Sequence, residues 1–171
     1  MTILIIDTST DLALIGLGTS EGISIAETIP HANQLSKILL PMIEKILPAS
    51  LDAVAIGVGP GSYTGTRVGV AAALAIAFGK KIPCIPFSSL LAFIPEEHGS
   101  FSCHLKGKGD TTYLLTGNQS ADAISYAHSF VPHDEAPLAP SPRAVNWGAL
   151  NAVLQEKWRQ KAFSSPQVLY F

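Results

Sequence analysis

Five glycines and a proline fall within the thirteen residues Gly57-Val58-Gly59-Pro60-Gly61-Ser62-Tyr63-Thr64-Gly65-Thr66-Arg67-Val68-Gly69. The segment joins an apolar run, Ala53-Val54-Ala55-Ile56, to a second one, Val68–Phe78, so it reads as a strand-to-helix connection. Glycine allows close backbone approach and positive φ. A helix N-terminus beyond such a loop presents unpaired N–H groups to an anion. Two readings stay open: a nucleotide or anion site using Gly59, Gly61 and Ser62, or a tight structural connection. Neither familiar phosphate motif fits. Gly61 and Gly65 enclose three residues with no lysine after them, and Gly-x-Gly-x-x-Gly meets Ser62 or Thr64 where its third glycine belongs. The second candidate is Asp7, which ends an apolar strand and is followed by Thr8, Ser9 and Thr10. A carboxylate among hydroxyls suits a hydrated Mg²⁺ beside a phosphate. It equally suits an Asx-turn closing a hairpin.

Other chemistry-bearing residues form no constellation. The five histidines make no i, i+4 pair on an expected helix. Cys103 and His104 are adjacent on an expected strand and point to opposite faces. His128, His133 and Asp134 lie in or beside a proline-rich loop and make a poor metal set. Ser62 lacks the Gly-x-Ser-x-Gly elbow of a hydrolase.

The elements that must position these residues follow from periodicity. Ile3–Ile6, Leu12–Leu17 and Ile23–Ile29 read as three strands of an antiparallel meander. Residues 32–47 turn to helical spacing, with Pro41 predicting a kink. Leu51–Gly57 is a strand, Val68–Phe78 a helix, Ile82–Pro86 a strand, and Phe87–Ile94 a helix start capped by Ser88 or Ser89. The order over the first 97 residues is βββαβαβα. His98-Gly99-Ser100 reads as a linker to a second, smaller lobe over 98–171. Strands are expected there at Phe101–Leu105, Thr111–Thr116 and Ile124–Val131, then a proline-rich loop over 132–142 and a helix over Val145–Ala162. A last strand is expected at Val168–Phe171, with the C-terminal segment returning to the first lobe.

Composition narrows the function classes. Of 171 residues, 47% are hydrophobic and only 14% charged, which excludes a disordered chain. The net charge of −2 comes with no basic stripe, against direct gripping of a nucleic acid. Two cysteines in no spacing motif suit a reducing, cytoplasmic setting. No apolar run approaches the ~20 residues of a membrane span.

Three stretches in this order, Ile3-Leu4-Ile5-Ile6-Asp7-Thr8-Ser9-Thr10, the helix from His31 through Leu39-Leu40-Pro41-Met42-Ile43, and the glycine-rich run 57–69, resemble the bacterial tRNA threonylcarbamoyladenosine biosynthesis proteins of the TsaB (YeaZ) type. The terminal Pro166-Gln167-Val168-Leu169-Tyr170-Phe171 resembles that family's closing strand. The resemblance implies an α/β, actin-like ATPase (ASKHA, ribonuclease H-like) fold. This is a mixed sheet with flanking helices in two lobes, the second reduced here. Lys106-Gly107-Lys108 stands where the family has an Asp-Ala-Arg turn.

The related catalytic subunit, TsaD, carries a His-x-x-x-His metal pair. The matching segment here is Ser89-Leu90-Leu91-Ala92-Phe93, with neither ligand. The resemblance therefore implies a non-catalytic subunit in forming N6-threonylcarbamoyladenosine (t6A) at position 37 of tRNAs reading codons that begin with A. It would bind a TsaD-type catalytic subunit and support a TsaE-type ATPase, meet tRNA indirectly, stay off membranes, and homodimerise without its partner. No cofactor is expected of the chain alone, with at most weak ATP or ADP and Mg²⁺ at the complex interface. The surplus of apolar residues in the two helices suits such a role, and Leu35, Leu39, Met42, Ile46, Val70, Leu74 and Ala77 are the interface candidates. The alternative is an ATP-dependent phosphoryl or acyl transferase of this fold using Asp7 and the Gly59–Gly65 loop. A protease reading lacks both the histidine pair and the nucleophile elbow.

Overall fold

Ile3–Ile6 is apolar without interruption because both faces of its strand are covered, as for the inner strands of sheets packed on both sides. The computed structural model describes residues 1–30, 35–107, 110–136 and 144–164. His31, the closing stretch 166–171 and most of the proline-rich loop lie outside them, as do Lys108 and Gly109. A five-stranded sheet is built from β1 (Thr2–Asp7), β2 (Leu12–Thr19), β3 (Gly22–Pro30), β4 (Ala53–Gly57) and β5 (Cys84–Phe87). Its order is β3-β2-β1-β4-β5. The meander β1–β2–β3 is antiparallel, whereas β4 and β5 add in parallel.

The period of two sorts the side chains. Leu4 and Ile6 of β1, with Val54 and Ile56 of β4, meet helices α1 (Leu35–Ile46) and α2 (Tyr63–Lys80). Ile3, Ile5, Ala53 and Ala55 face the other way. There they join α3 (Trp147–Arg159) and a 3₁₀ turn over Ser89–Phe93, with Phe101, Cys103 and Leu115 of a second sheet. That second sheet is an antiparallel meander of β6 (Gly99–Lys106), β7 (Thr111–Gln119) and β8 (Ile124–Pro132).

Glycines in β2 let α3 come close. A side chain on Gly16 would stand 2.8 Å from the Trp147 ring, and one on Gly18 2.3 Å from the Asn151 amide oxygen. Asn151 donates to the Thr19 carbonyl at 3.0 Å, and Gln155 donates to Asn151 at 3.3 Å. Asn146 caps α3 by accepting from the Ala149 N–H at 2.9 Å. Its amide also donates to the Ile94 and Pro95 carbonyls, tying the helix to the 3₁₀ turn.

Several boundaries differ from expectation. The helix α2 starts at Tyr63 rather than Val68, because Ser62 caps it and draws Gly65 inside. The helix expected over Phe87–Ile94 is a single 3₁₀ turn. Pro95 follows, and the residue before a proline is biased to the extended backbone that Ile94 adopts (φ −60°, ψ 132°). Gly99 and Ser100 open β6 instead of forming a linker. The helix α1 continues through Pro41. Lys37 and Pro41 are both exposed, so the carbonyl deprived of its donor faces water. In β5, the Pro83 and Phe87 carbonyls accept from Val54 and Val58 of the β4 side, which turns Cys84 and Pro86 to the sheet's outer edge.

Candidate functional site

The two segments singled out for chemistry form one interlocked joint. Asp7 ends β1 fully buried, followed by the equally buried Thr8 and Ser9. The Asp7 carboxylate accepts from the Ser9 N–H at 2.8 Å, which is the Asx-turn geometry. Thr8 donates its hydroxyl to the Gly65 carbonyl at 2.6 Å. The Ser62 N–H donates to the Ser9 carbonyl at 2.5 Å.

The glycines of the loop are spent on this contact. A side chain on Gly57 would stand 2.2 Å from the Asp7 carboxyl carbon, and one on Gly69 2.3 Å from the Thr8 hydroxyl. On Gly61, where φ is +153°, it would fall 1.9 Å from the Ser9 carbonyl oxygen. Gly59, joined to Pro60 by a cis peptide, is held from the opposite side. Its N–H donates to the Ser89 hydroxyl at 3.2 Å, and its carbonyl accepts from the Ser89 N–H at 2.8 Å.

Ser62 accepts from the Gly65 N–H at 3.1 Å, using one of the free donors at the start of α2. The Asp7 carboxylate has no exposed surface. The buried carboxylate and the Gly65 N–H are thus both engaged within the joint. The two positions of the matching metal pair hold Ser89, buried against Gly59, and Phe93, packed on the core beneath α3. Among the described residues, no group of three or more His, Cys, Asp or Glu side chains could hold a metal ion.

The seven interface candidates divide by orientation. Leu35, Leu39 and Ala77 are buried, Leu39 and Ala77 within the core between the helices and the sheet. Met42, Ile46 and Val70 are half-buried at its margin. Leu74 is exposed. On α1 and α2, the most exposed large apolar residues are not among the seven candidates: Phe78 is 88% exposed, Tyr63 54% and Leu40 50%. A signal for two of them was present. Arg67 is the one charge within the apolar part of α2, so it marks the outward face. Steps of −4, +7 and +11 from it reach Tyr63, Leu74 and Phe78. The Arg67 guanidinium lies 3.8 Å over the Tyr63 ring. Beyond Phe78 the stripe opens into a groove of about 690 Å³ that includes Ile82, Pro83 and Phe163.

Comparisons with known proteins agree on one kinship. The family described as "TsaD: tRNA N6-adenosine threonylcarbamoyltransferase" matches residues 28–128, more than half of the chain. The "tRNA threonylcarbamoyladenosine biosynthesis protein TsaB" of Haemophilus influenzae is 42% identical over 101 residues, 54% of this chain and 41% of that protein. The protein of the same description from Escherichia coli is 35% identical over 98 residues, 53% and 42% of the two lengths. The matched segment thus spans about two-fifths of these relatives. A solved structure, "YeaZ from Pseudomonas aeruginosa", superposes with a TM-score of 0.82 over 99% of this chain and all of that one, at 18% identity. The fold is accordingly the expected mixed α/β fold of the actin-like class.

Proposed function

This chain belongs to the TsaD family and is of the TsaB/YeaZ type, and on that premise we propose that it acts in t6A biosynthesis as a non-catalytic subunit. It docks on a TsaD-type catalytic subunit through α1 and α2, and a TsaE-type ATPase joins the pair. Transfer takes place on the partner, which also meets the adenosine of tRNAs reading A-initial codons. The setting is the cytoplasm, and no helix among the described residues is long and apolar enough to cross a membrane.

The observation that carries this reading is the outward face of α2, where Tyr63, Leu74 and Phe78 hold apolar surface in water. Clustered exposure of this kind marks a protein contact. The absence of a histidine pair at Ser89 and Phe93 supports the same division of labour. In this reading the chain alone requires no cofactor. Depleting the protein and measuring t6A in bulk tRNA tests the proposal: the modification should fall, and unchanged t6A would refute it.

The transferase alternative rests on Asp7 and the Gly59–Gly65 loop. Calorimetric titration of the isolated chain with Mg²⁺-ATP separates the two. Low-micromolar binding that vanishes in Asp7→Ala would favour the transferase, whereas no heat favours the subunit.

A further inference from the structure

One edge of the second sheet is unguarded. β8 is its last strand, and among the described residues none pairs with the far side of it. Its nine residues hold no lysine, arginine, aspartate or glutamate, and its proline is the last of them, Pro132. The register with β7 runs from Ile124 to Pro132 without a bulge. Shortness, charge, proline and bulges are the devices that keep edge strands from pairing. None of them interrupts β8 over 124–131.

The phase of the ladder shows which backbone groups are open. At one end the Ser120 N–H donates to the Ala123 carbonyl at 2.9 Å, and at the other the His133 N–H donates to the Asp110 carbonyl at 3.0 Å. Antiparallel bonding alternates, so Ser125, Ala127 and Ser129 turn their backbone groups to β7. Tyr126 and His128 turn theirs outward. Two cavities lie along this edge. Tyr126 lines one of about 610 Å³, together with Ala152 and Val153 of α3 and with Asp122, Glu156 and Lys157. His128 lines the other, of about 250 Å³, with Pro60 of the glycine loop, Leu90, Tyr113 and Phe130. The two rings share one face of the sheet, 5.8 Å apart.

We propose that the β8 edge docks an extended peptide segment of another protein, added as a further strand through the backbone groups of Tyr126 and His128. Main-chain bonds supply affinity in this mode, and pockets for alternate side chains supply selectivity. The segment carries an aliphatic side chain for the apolar cavity beside Pro60 and Leu90. Two positions along, it carries a long polar one for the cavity beside α3, where carboxylates and an ammonium stand. A second copy is less suited. Paired through β8 about a two-fold at His128, it would set only rings opposite Tyr126, His128 and Phe130, with no aliphatic side chain for the smaller cavity. The proposal stands apart from the t6A reading, since it uses neither α1 nor α2.

The probe is a phage-displayed library of random linear peptides selected on the full chain. The best peptide is then synthesised and its affinity measured on wild type, His128→Pro and Ala152→Trp. His128→Pro removes an outward donor and spares the bonds to β7. Ala152→Trp fills the larger cavity from an exposed position of α3. A thermal melt of each verifies the fold. His128→Pro should weaken binding about tenfold or more, and Ala152→Trp several-fold. Amide exchange followed by NMR reads wild type directly, and decides alone if His128→Pro does not fold. The Tyr126 and His128 amides should exchange freely in the chain by itself and at least about tenfold more slowly with peptide bound. The Ala127 amide should be protected in both. Failure to enrich any peptide would overturn the proposal. So would a peptide that leaves the Tyr126 and His128 amides exchanging freely and binds His128→Pro as well as wild type. Protection of those two amides in the chain alone, rising with its concentration, would give the edge to a second copy instead.

Discussion

The carboxyl carbon of Asp7 occupies the place a methyl group on Gly57 would need, 2.2 Å away. The strand end and the glycine loop are therefore shaped by each other. Gly57→Ala should destabilise the fold by about 2 kcal/mol or more, as overpacking of a rigid site does. Gly79→Ala is the contrasting case: nothing lies within 4 Å of its added methyl, in the last turn of α2. It should stabilise by roughly 0.5 kcal/mol through helix propensity. Urea unfolding of both variants checks the opposite signs.

Asp7 holds the buried Ser9 N–H. Asp7→Ala removes that acceptor and should cost about 1–3 kcal/mol. Asp7→Asn keeps an amide oxygen in the same place and should lose clearly less. Thermal melts of the pair at neutral pH decide it, and equal losses would show that the charge matters more than the turn.

Cys103 sits in the core with its thiol donating to the Phe93 carbonyl at 3.1 Å. Burial pushes its pKa from 9.0 up to about 11. The native thiol should resist alkylation at pH 8 and react rapidly once urea unfolds the chain. The folded pKa is raised, so the linked stability is fully present below about pH 9 and lost as pH rises through about 11. In Cys103→Ala that part of the alkaline loss should disappear, with the share from Cys84, whose thiol burial also raises, remaining.

His128 on β8 packs edge-on to Tyr126 at 5.8 Å between ring centroids. Partial burial, and then repulsion from Lys157 on α3, hold its imidazole below the ordinary 6.5. A proton NMR titration should find it among the more acidic histidines. Lys157→Gln should raise its pKa while leaving it short of 6.5, because burial is the larger cause. No change in that variant would remove α3 from the account.

Much of the architecture is legible in the chain because burial on two faces leaves an unmistakable run such as Ile3–Ile6, and the meander's turns carry their own residues. The start of α2 is less so. Gly61 and Gly65 read as loop, yet Ser62 caps the helix from Tyr63 on, and Gly69 inside it admits Thr8. The 3₁₀ turn at Ser89–Phe93 has the composition of a helix and is cut short by Pro95. Orientation was the hardest thing to read. The helix α2 is apolar all round, so Ala77 and Leu74 look alike in sequence although one is core and the other surface. The interlocking of Asp7, Thr8 and Ser9 with the loop is a long-range relation that no local pattern encodes.

The outward position of Pro86 on β5 has a consequence for assembly. An edge strand with a free N–H at every outward residue is a template on which a stray chain can grow. Of the two outward residues in β5, Cys84 and Pro86, the second has no hydrogen to give. This flank of the sheet resists extension by another strand and so guards against fibrous self-templating. The opposite edge of the same sheet, β3, has no proline before its last residue and lacks this guard.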